Sequence, residues 1–359
     1  MRRTMLIRLL TLAAILLTAA GCEFRPLSES GNVSYVRIYL DERILNVTEG
    51  FYHAEFLHPE YHRPEILRVA LFDPNTGRMV SERYLRNQGD DERGHYYEGY
   101  LIVEAGTYNL VAYNFGTEAT IIANEYSWWD MTAYTNEVSP ALQDSFKSRG
   151  DGTAKADGEP ESIRYDADHL FVAGAEGIEI QHHTTLDTLR NTNGEPWFRA
   201  SSVVKSYYLQ IGVTGIKYLS SSSVLLTGMG RSVRLRDLDF TEGGEATLYF
   251  DMHNGEDQYH GDHYACIYGT FGTFGKLPDA DNMLTVSIEM ITTYGTRLEE
   301  TIPITQEFYT VNATEHQWLI LEQTINIPAP PDPPPGGEGN GGMQPHVGDW
   351  GDVQSEFEV

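Results

Sequence analysis

The sequence predicts an all-β protein built as two tandem β-sandwiches, and three observations carry that expectation. Short apolar runs with period-two alternation recur along residues 33–327. Clusters of Gly, Pro, Asn and Asp separate them at intervals of about 8–12 residues, the spacing of sandwich strands. Helical periodicity is scarce, with no amphipathic stretch beyond about three turns, so the helical crossovers of a parallel α/β sheet have no source. The chain is long enough for two domains of ordinary size.

Residues 35–40 alternate in strand fashion, and residues 66–72 form an apolar run leading into the turn Asp73-Pro74-Asn75-Thr76-Gly77. Pro and Gly preset the backbone angles such a turn needs, so residues 79–85 return as the second arm of a hairpin. Residues 100–103 and 107–114 make the next hairpin around Glu104-Ala105-Gly106, with Gly106 expected at positive φ. Residues 144–165 are polar and nearly without large hydrophobes, which reads as a long exposed loop. A strand is expected at 170–180 and a polar break at 190–196, which puts the domain boundary near residue 198. The first unit is then 33–198 and the second 199–327. In the second, strands are expected at 203–213, 232–238, 246–250, 283–292, 298–304 and 318–327.

The two ends differ from this body. Arg2, Arg3 and Arg8 flank an apolar run over residues 9–20. That run falls short of the roughly 20 residues a spanning helix needs but suits a signal-peptide core. It closes on LTAAGC, which resembles a bacterial lipobox, where lipoprotein signal peptidase cuts before a diacylglyceryl-modified cysteine. Ala19 stands where leucine is commonest. Residues 1–21 are therefore expected to be a lipoprotein signal peptide and 22–32 a tether acylated at Cys22, anchoring the protein to the outer membrane at the cell surface. An ordinary secretory signal with a chance cysteine is the competing reading. Acyl chains, palmitate among them, hold a protein stably when two or more enter the bilayer. At the other end, residues 328–342 are a Pro- and Gly-rich linker that cannot bury a core. Beyond it Val353, Phe357 and Val359 share one face of an extended strand. They are a candidate donor strand, against a frayed acidic tail as the alternative.

The formal charge of -27 sets 52 acidic against 25 basic side chains, a surface that repels phosphate backbones and excludes nucleic acid as a partner. Cys22 and Cys266 are the two cysteines, so acylation of the first leaves no intramolecular disulfide, and Cys266 reads as a small buried hydrophobe. No P-loop, GxSxG, HExxH or cysteine-based zinc pattern is present, so no catalytic residue, cofactor or metal is expected. The segment 251–263 carries His253, Asp257, His260, Asp262 and His263, read as solvated loop residues because their spacing fits neither a calcium nor a zinc pattern. Adjacent His182 and His183 would point to opposite faces of a strand. Trp128 and Trp129, near Tyr126 and Tyr134, fit either packing in a core or domain seam or stacking on a sugar.

The blocks ILRVALFDPNTGR, GTYNLVAYNFGTE, VTGIKYLSSSSVLLTGMGRSV and YGTFGTFGKLP resemble a lipoprotein family of unknown function from Bacteroidota, as do Pro345, Val347, Asp349 and Trp350. That family is similar to the fimbrillin superfamily, particularly the lipid-anchored subunits at the base of type V pili. The resemblance implies two transthyretin-like sandwiches and a fimbrial anchor or assembly component with a fimbrial stalk subunit as partner. Stalk subunits lose their lipidated N-terminus and gain a strand-accepting groove. An anchor of this kind keeps the lipid, offers no groove and can only donate a strand. The alternative is a surface glycan-binding lipoprotein of a carbohydrate-uptake system.

Overall fold

A computed structural model describes residues 32–42, 63–147, 162–182, 186–257, 264–278 and 284–331. Cys22, the candidate donor residues Val353, Phe357 and Val359, and His183, His260, Asp262 and His263 lie outside the described residues. The fold is all-β, as the alternating pattern predicts. In the first half the elements are β1 (Asn32–Asp41), β2 (Ile66–Phe72), β3 (Met79–Leu85), β4 (Asn87–Asp91), β5 (Gly94–Val103), β6 (Gly106–Phe115), β7 (Thr120–Ala123), β8 (Thr132–Thr135), α1 (Pro140–Lys147), β9 (Ile163–Tyr165), β10 (Phe171–Ile180), β11 (Asp187–Thr188) and β12 (Phe198–Ser202). The second half has β13 (Lys205–Thr214), β14 (Leu219–Gly230), β15 (Ser232–Arg234), β16 (Glu245–Asp257), β17 (Tyr264–Thr273), β18 (Thr285–Thr292), β19 (Arg297–Pro303), α2 (Val311–His316) and β20 (Trp318–Asn326).

The first sheet runs β3-β2-β6-β10-β12-β1-β5-β4, with β11 beside β1. β10 and β12 share only Phe171–Ser202 and Val172–Ser201, so the sheet parts there into two leaves. Val36, Ile38 and Leu40 of β1 face Leu67, Val69 and Leu71 of β2 across one core, with Leu110, Ala112, Phe171 and Ala173 filling it. β2 also buries its other face, through Ala70 and Phe72. Burial on both faces is why it is apolar at every position but Arg68, itself buried and paired with Glu82 and Glu125, rather than alternating. The second sheet runs β19-β18-β14-β16-β17-β13-β20. Its long strand β16 pairs with β14 over residues 245–252 and with β17 over 253–257, turning from one leaf to the other. Leu209, Ile211, Leu226, Phe250, Phe271, Ile288 and Leu319 pack between the leaves.

The two halves exchange strands. β9 of the first half pairs parallel with β16, Ile163 to Thr247 and Tyr165 to Tyr249. β15 of the second half pairs antiparallel with β8, Ser232 to Tyr134 and Arg234 to Thr132, in a small sheet with β7. This corrects the expectation of one exposed loop over 144–165. α1 extends to Lys147 and β9 is a strand whose Ile163 and Arg164 are buried, since a three-residue strand is too short to show a period. The strand expected at 232–238 stops at Arg234, whose guanidinium is held by Asp237 and Glu242, and Leu238 turns out at φ 59°. Gly106 is not at positive φ: it lies in β6 opposite Ile180, and Glu104 and Ala105 make the turn. Gly77 does adopt φ 67°, and Asp73 Oδ1 accepts the Asn75 and Thr76 N–H groups at 2.8 Å.

Strand direction gives the molecule two poles. β1 runs toward the seam between the sandwiches, and β12, parallel to it, leads into β13. β13 starts at the seam, where its partner β17 ends against residue 167, and runs away from it. β20 is parallel to β13, Tyr208–Trp318 through Thr214–Asn326, so the chain leaves the second sandwich at the pole opposite the start of β1.

Candidate functional site

Three places combine concavity, exposed chemistry or chain termini: the seat of β1, the cleft at the seam and an aromatic groove on the first sandwich.

β1 occupies the interior of its leaf. It pairs antiparallel with β5 from Asn32–Val103 to Tyr39–Tyr96, and parallel with β12 from Ile38–Phe198 to Asp41–Ser201. Its inward side chains are core, so the place between β5 and β12 is filled by the chain's own first strand. Its outward side chains form rungs with β5: Val33 with Ile102, Tyr35 with Tyr100, Arg37 with Glu98, Tyr39 with Tyr96. Arg37 binds Glu98 at 2.7 Å and lies 4.1 Å over the Tyr96 ring, while the Tyr35 hydroxyl donates to Glu98. That hydroxyl bond and the guanidinium hold the Glu98 carboxyl below its ordinary range, and burial together with Glu98 pushes the Tyr35 phenol up to about 12. β20, in contrast, pairs with β13 alone among the described strands.

The cleft at the seam has a volume of about 800 Å³ and is lined by Arg63, Asn114, Glu118, Asp166, Asp168 and Gly272 among others. Asp168 accepts the Ala119 and Thr120 N–H groups at 2.5 and 2.8 Å, and its own N–H donates to the Thr120 hydroxyl at 3.0 Å. Asp166 accepts the Gly272 N–H at 3.2 Å. Burial pushes the Asp166 carboxyl up to about 6, and it lowers the His169 imidazole, which favours the neutral ring. Gly272 is required here, because a Cβ would sit 2.0 Å from the Ala167 carbonyl oxygen. Both carboxylates are thus committed to backbone N–H groups that pin the 117–120 loop and β17 to residues 166–168. Arg164 adds a tie: its guanidinium donates to the Thr135 carbonyl and binds Glu137 at 2.7 Å. Nothing in the sequence singled out Asp166, Asp168 or Arg164, since each acts on backbone far away in the chain.

The adjacent tryptophans part company. Trp128 is 1% exposed and packs in the seam with Phe72, Val204, Val233 and Phe274. Trp129 is 44% exposed, lies against Gly77 and has Arg236 5.3 Å over its ring. With Tyr126, Asn124, Ser127 and Asp130 it lines a groove of about 620 Å³. An apolar ring beside amide, hydroxyl and carboxylate groups suits a polyhydroxylated ligand. His182 is exposed, and His253 sits on β16 with its ring 5.7 Å from that of Tyr268. Among the described residues no three His, Cys, Asp or Glu side chains come together as a metal-holding group. Cys266 is buried.

Residues 59–251 match the family model described as a domain of unknown function, DUF5119. The chain belongs to that family. It is 24% identical over 373 residues to a Bacteroides ovatus protein named "Putative fimbrium anchoring subunit Fim4B", with 95% of each chain covered. Among solved structures it is similar to a "putative adhesin" from Bacteroides ovatus at TM-score 0.54 and 21% identity, over 87% of this chain and 99% of that one. The likeness to that structure is one of fold. The fimbrial anchor protein Mfa2 from Porphyromonas gingivalis aligns at TM-score 0.42 and 14% identity, over 81% of this chain and 88% of that one.

Proposed function

We propose that this DUF5119 protein is a fimbrial anchor or assembly subunit of the cell envelope, held at the outer membrane through acylated Cys22 and joined to a fimbrial stalk subunit. The observation that carries the reading is the opposition of the poles. β1 starts at one and remains seated between β5 and β12, while β20 leaves at the other. A subunit tethered before β1 would therefore present its C-terminal segment away from the tether. The kinship with a protein named as a fimbrium anchoring subunit, over nearly the whole length of both, supports the same role. A strand donated by residues 353–359 would draw affinity from main-chain hydrogen bonds and specificity from pockets for Val353, Phe357 and Val359.

Truncation after Gly342, with Phe357→Asp as a point control, is expected to abolish co-purification with the stalk while leaving the protein in the membrane fraction. Cys22→Ala is expected to leave uncleaved or mislocalised precursor and to remove label from a clickable fatty acid. Retention of the stalk by both tail variants refutes strand donation, and equal labelling of Cys22→Ala refutes the anchor. A second reading, glycan binding at the surface, is favoured by the Trp129 and Tyr126 groove. Loss of binding to a glycan array on Trp129→Ala would support it.

A further inference from the structure

The outward face of the β1–β5 pair is graded along its length. At the start of β1, Val33 stands opposite Ile102, and these are 42% and 66% exposed. The next rung is Tyr35 with Tyr100, rings 5.6 Å apart and Tyr100 half exposed. The third is the Arg37–Glu98 ion pair. On the other side of β1, Asp187 and Thr188 lie beside Ser34 and Tyr35, so continuing that parallel register brings exposed Leu186 beside Val33. Moving inward from the start of β1, the surface thus passes from aliphatic to phenolic to charged. That is the order in which a bilayer boundary accepts side chains: aliphatic groups at the acyl edge, tyrosine at headgroup level, ions in water.

We infer that this end of the first sandwich, formed by Val33, Tyr100, Ile102 and Leu186, is a lipid-docking surface that rests on the headgroup–acyl boundary of a zwitterionic phospholipid layer. The inference rests on the reading of Cys22 as the acylated residue. Nine residues, 23–31, separate Cys22 from Asn32, and a fully extended chain of that length spans about 30–35 Å. The patch is thereby held within one tether length of the bilayer and at the pole that the tether enters. The strongly acidic charge of the chain disfavours anionic headgroups, which selects neutral phospholipid as the layer it meets. Docking would fix the tilt of the sandwich, turning a flexible tether into an oriented mount whose opposite pole points away from the membrane.

The test couples residues 22–359 through the Cys22 thiol to a maleimide lipid in phosphatidylcholine–phosphatidylethanolamine vesicles. Cys266 is buried and so is protected from the reagent. Hydroxyl-radical footprinting then reads side-chain exposure. Oxidation of Tyr100, Ile102 and Leu186 is expected to fall at least about threefold on coupling, as expected for side chains seated in the interface. Tyr309 and Val311, exposed on the second half, should be unchanged. Ile102→Asp combined with Leu186→Asp should restore oxidation of Tyr100 in the coupled protein. Equal footprints with and without coupling overturn the inference. So does concentration-dependent protection without vesicles, which would make a second copy of the chain the occupant. Because coupling supplies the anchor chemically, failure of Cys22 acylation in cells would remove the anchor reading and leave this measurement intact.

Discussion

The two sandwiches use the same device, a first strand paired parallel with a last strand, with opposite consequences. In the first, β12 lies between β1 and β10, so the sheet continues past the closing pair and β1 is enclosed on both sides. In the second, β20 lies beside β13 and ends the sheet among the described strands. An enclosed strand cannot leave without opening its core, whereas a terminal one keeps a row of backbone groups facing outward. Among the described strands, the first sandwich therefore holds β1 from both sides, and the second ends at β20, which is paired on one side. That asymmetry is what the proposed anchor role would use.

The largest expected effect tests the enclosure directly. Ile38 of β1 is fully buried, and Ile38→Ala should cost about 3–4 kcal/mol in denaturant unfolding through lost burial and the cavity left behind. Ile320→Ala on half-buried β20 should cost about 1 kcal/mol. Equal losses would mean that the two terminal strands are equivalent after all. The next effect concerns what joins the sandwiches. Arg164→Ala strips the Thr135 carbonyl and Glu137 of their partner and should cost about 1–3 kcal/mol. It should also separate the heat-capacity peaks of the two halves in calorimetry. Arg234→Ala, in a surface cluster with Asp237 and Glu242, should cost less than about 1 kcal/mol and leave the peaks together. If Arg164→Ala leaves a single unshifted peak, the exchanged strand β9 is not what couples the halves.

The seam itself carries a pH dependence. The Asp166 carboxyl lies near 6 when folded and returns to its ordinary value near 3.8 when unfolded. Between these values the folded chain holds a proton that the unfolded chain has lost, so stability falls as pH rises from about 4 to about 6. The cost is complete above that window and amounts to at most about 3 kcal/mol. Asp166→Asn keeps an acceptor for the Gly272 N–H and should flatten this slope, seen as a smaller change in melting temperature between pH 4 and 6.5. An unchanged slope would place the titrating group elsewhere.

Much of the first sandwich was legible in the sequence. The hairpin over 66–85 appears with the bounds its pattern implies, because an apolar run, a Pro–Gly turn and a return strand are all local signals. Turn chemistry was legible at Gly77 and misleading at Gly106, where a two-residue turn left the glycine within the strand. β17, with two glycines among its residues, lacks a long apolar run, and its place as a strand is set by β13 and β16 on either side. β9 and β15 were invisible as connectors, being three residues each. The aromatic pair at 128–129 announced importance without saying which ring was buried, since that depends on where residues 204, 233 and 274 arrive.

By itself the sequence determined the class of the protein: a chain of short alternating strands, acidic at its surface, with distinct segments at both ends. These are properties of neighbouring residues, and a period of two or a run of proline declares itself within a few positions. Tertiary structure alone decided that β1 sits between β5 and β12, that the halves lend each other β9 and β15, and that Asp166 accepts the Gly272 N–H. The partners in these contacts stand tens to more than a hundred residues apart. Each alternating strand is compatible with many neighbours, and the choice among them falls to the packing of two shared cores and a seam, where shape and hydrogen-bond satisfaction act on the whole chain at once.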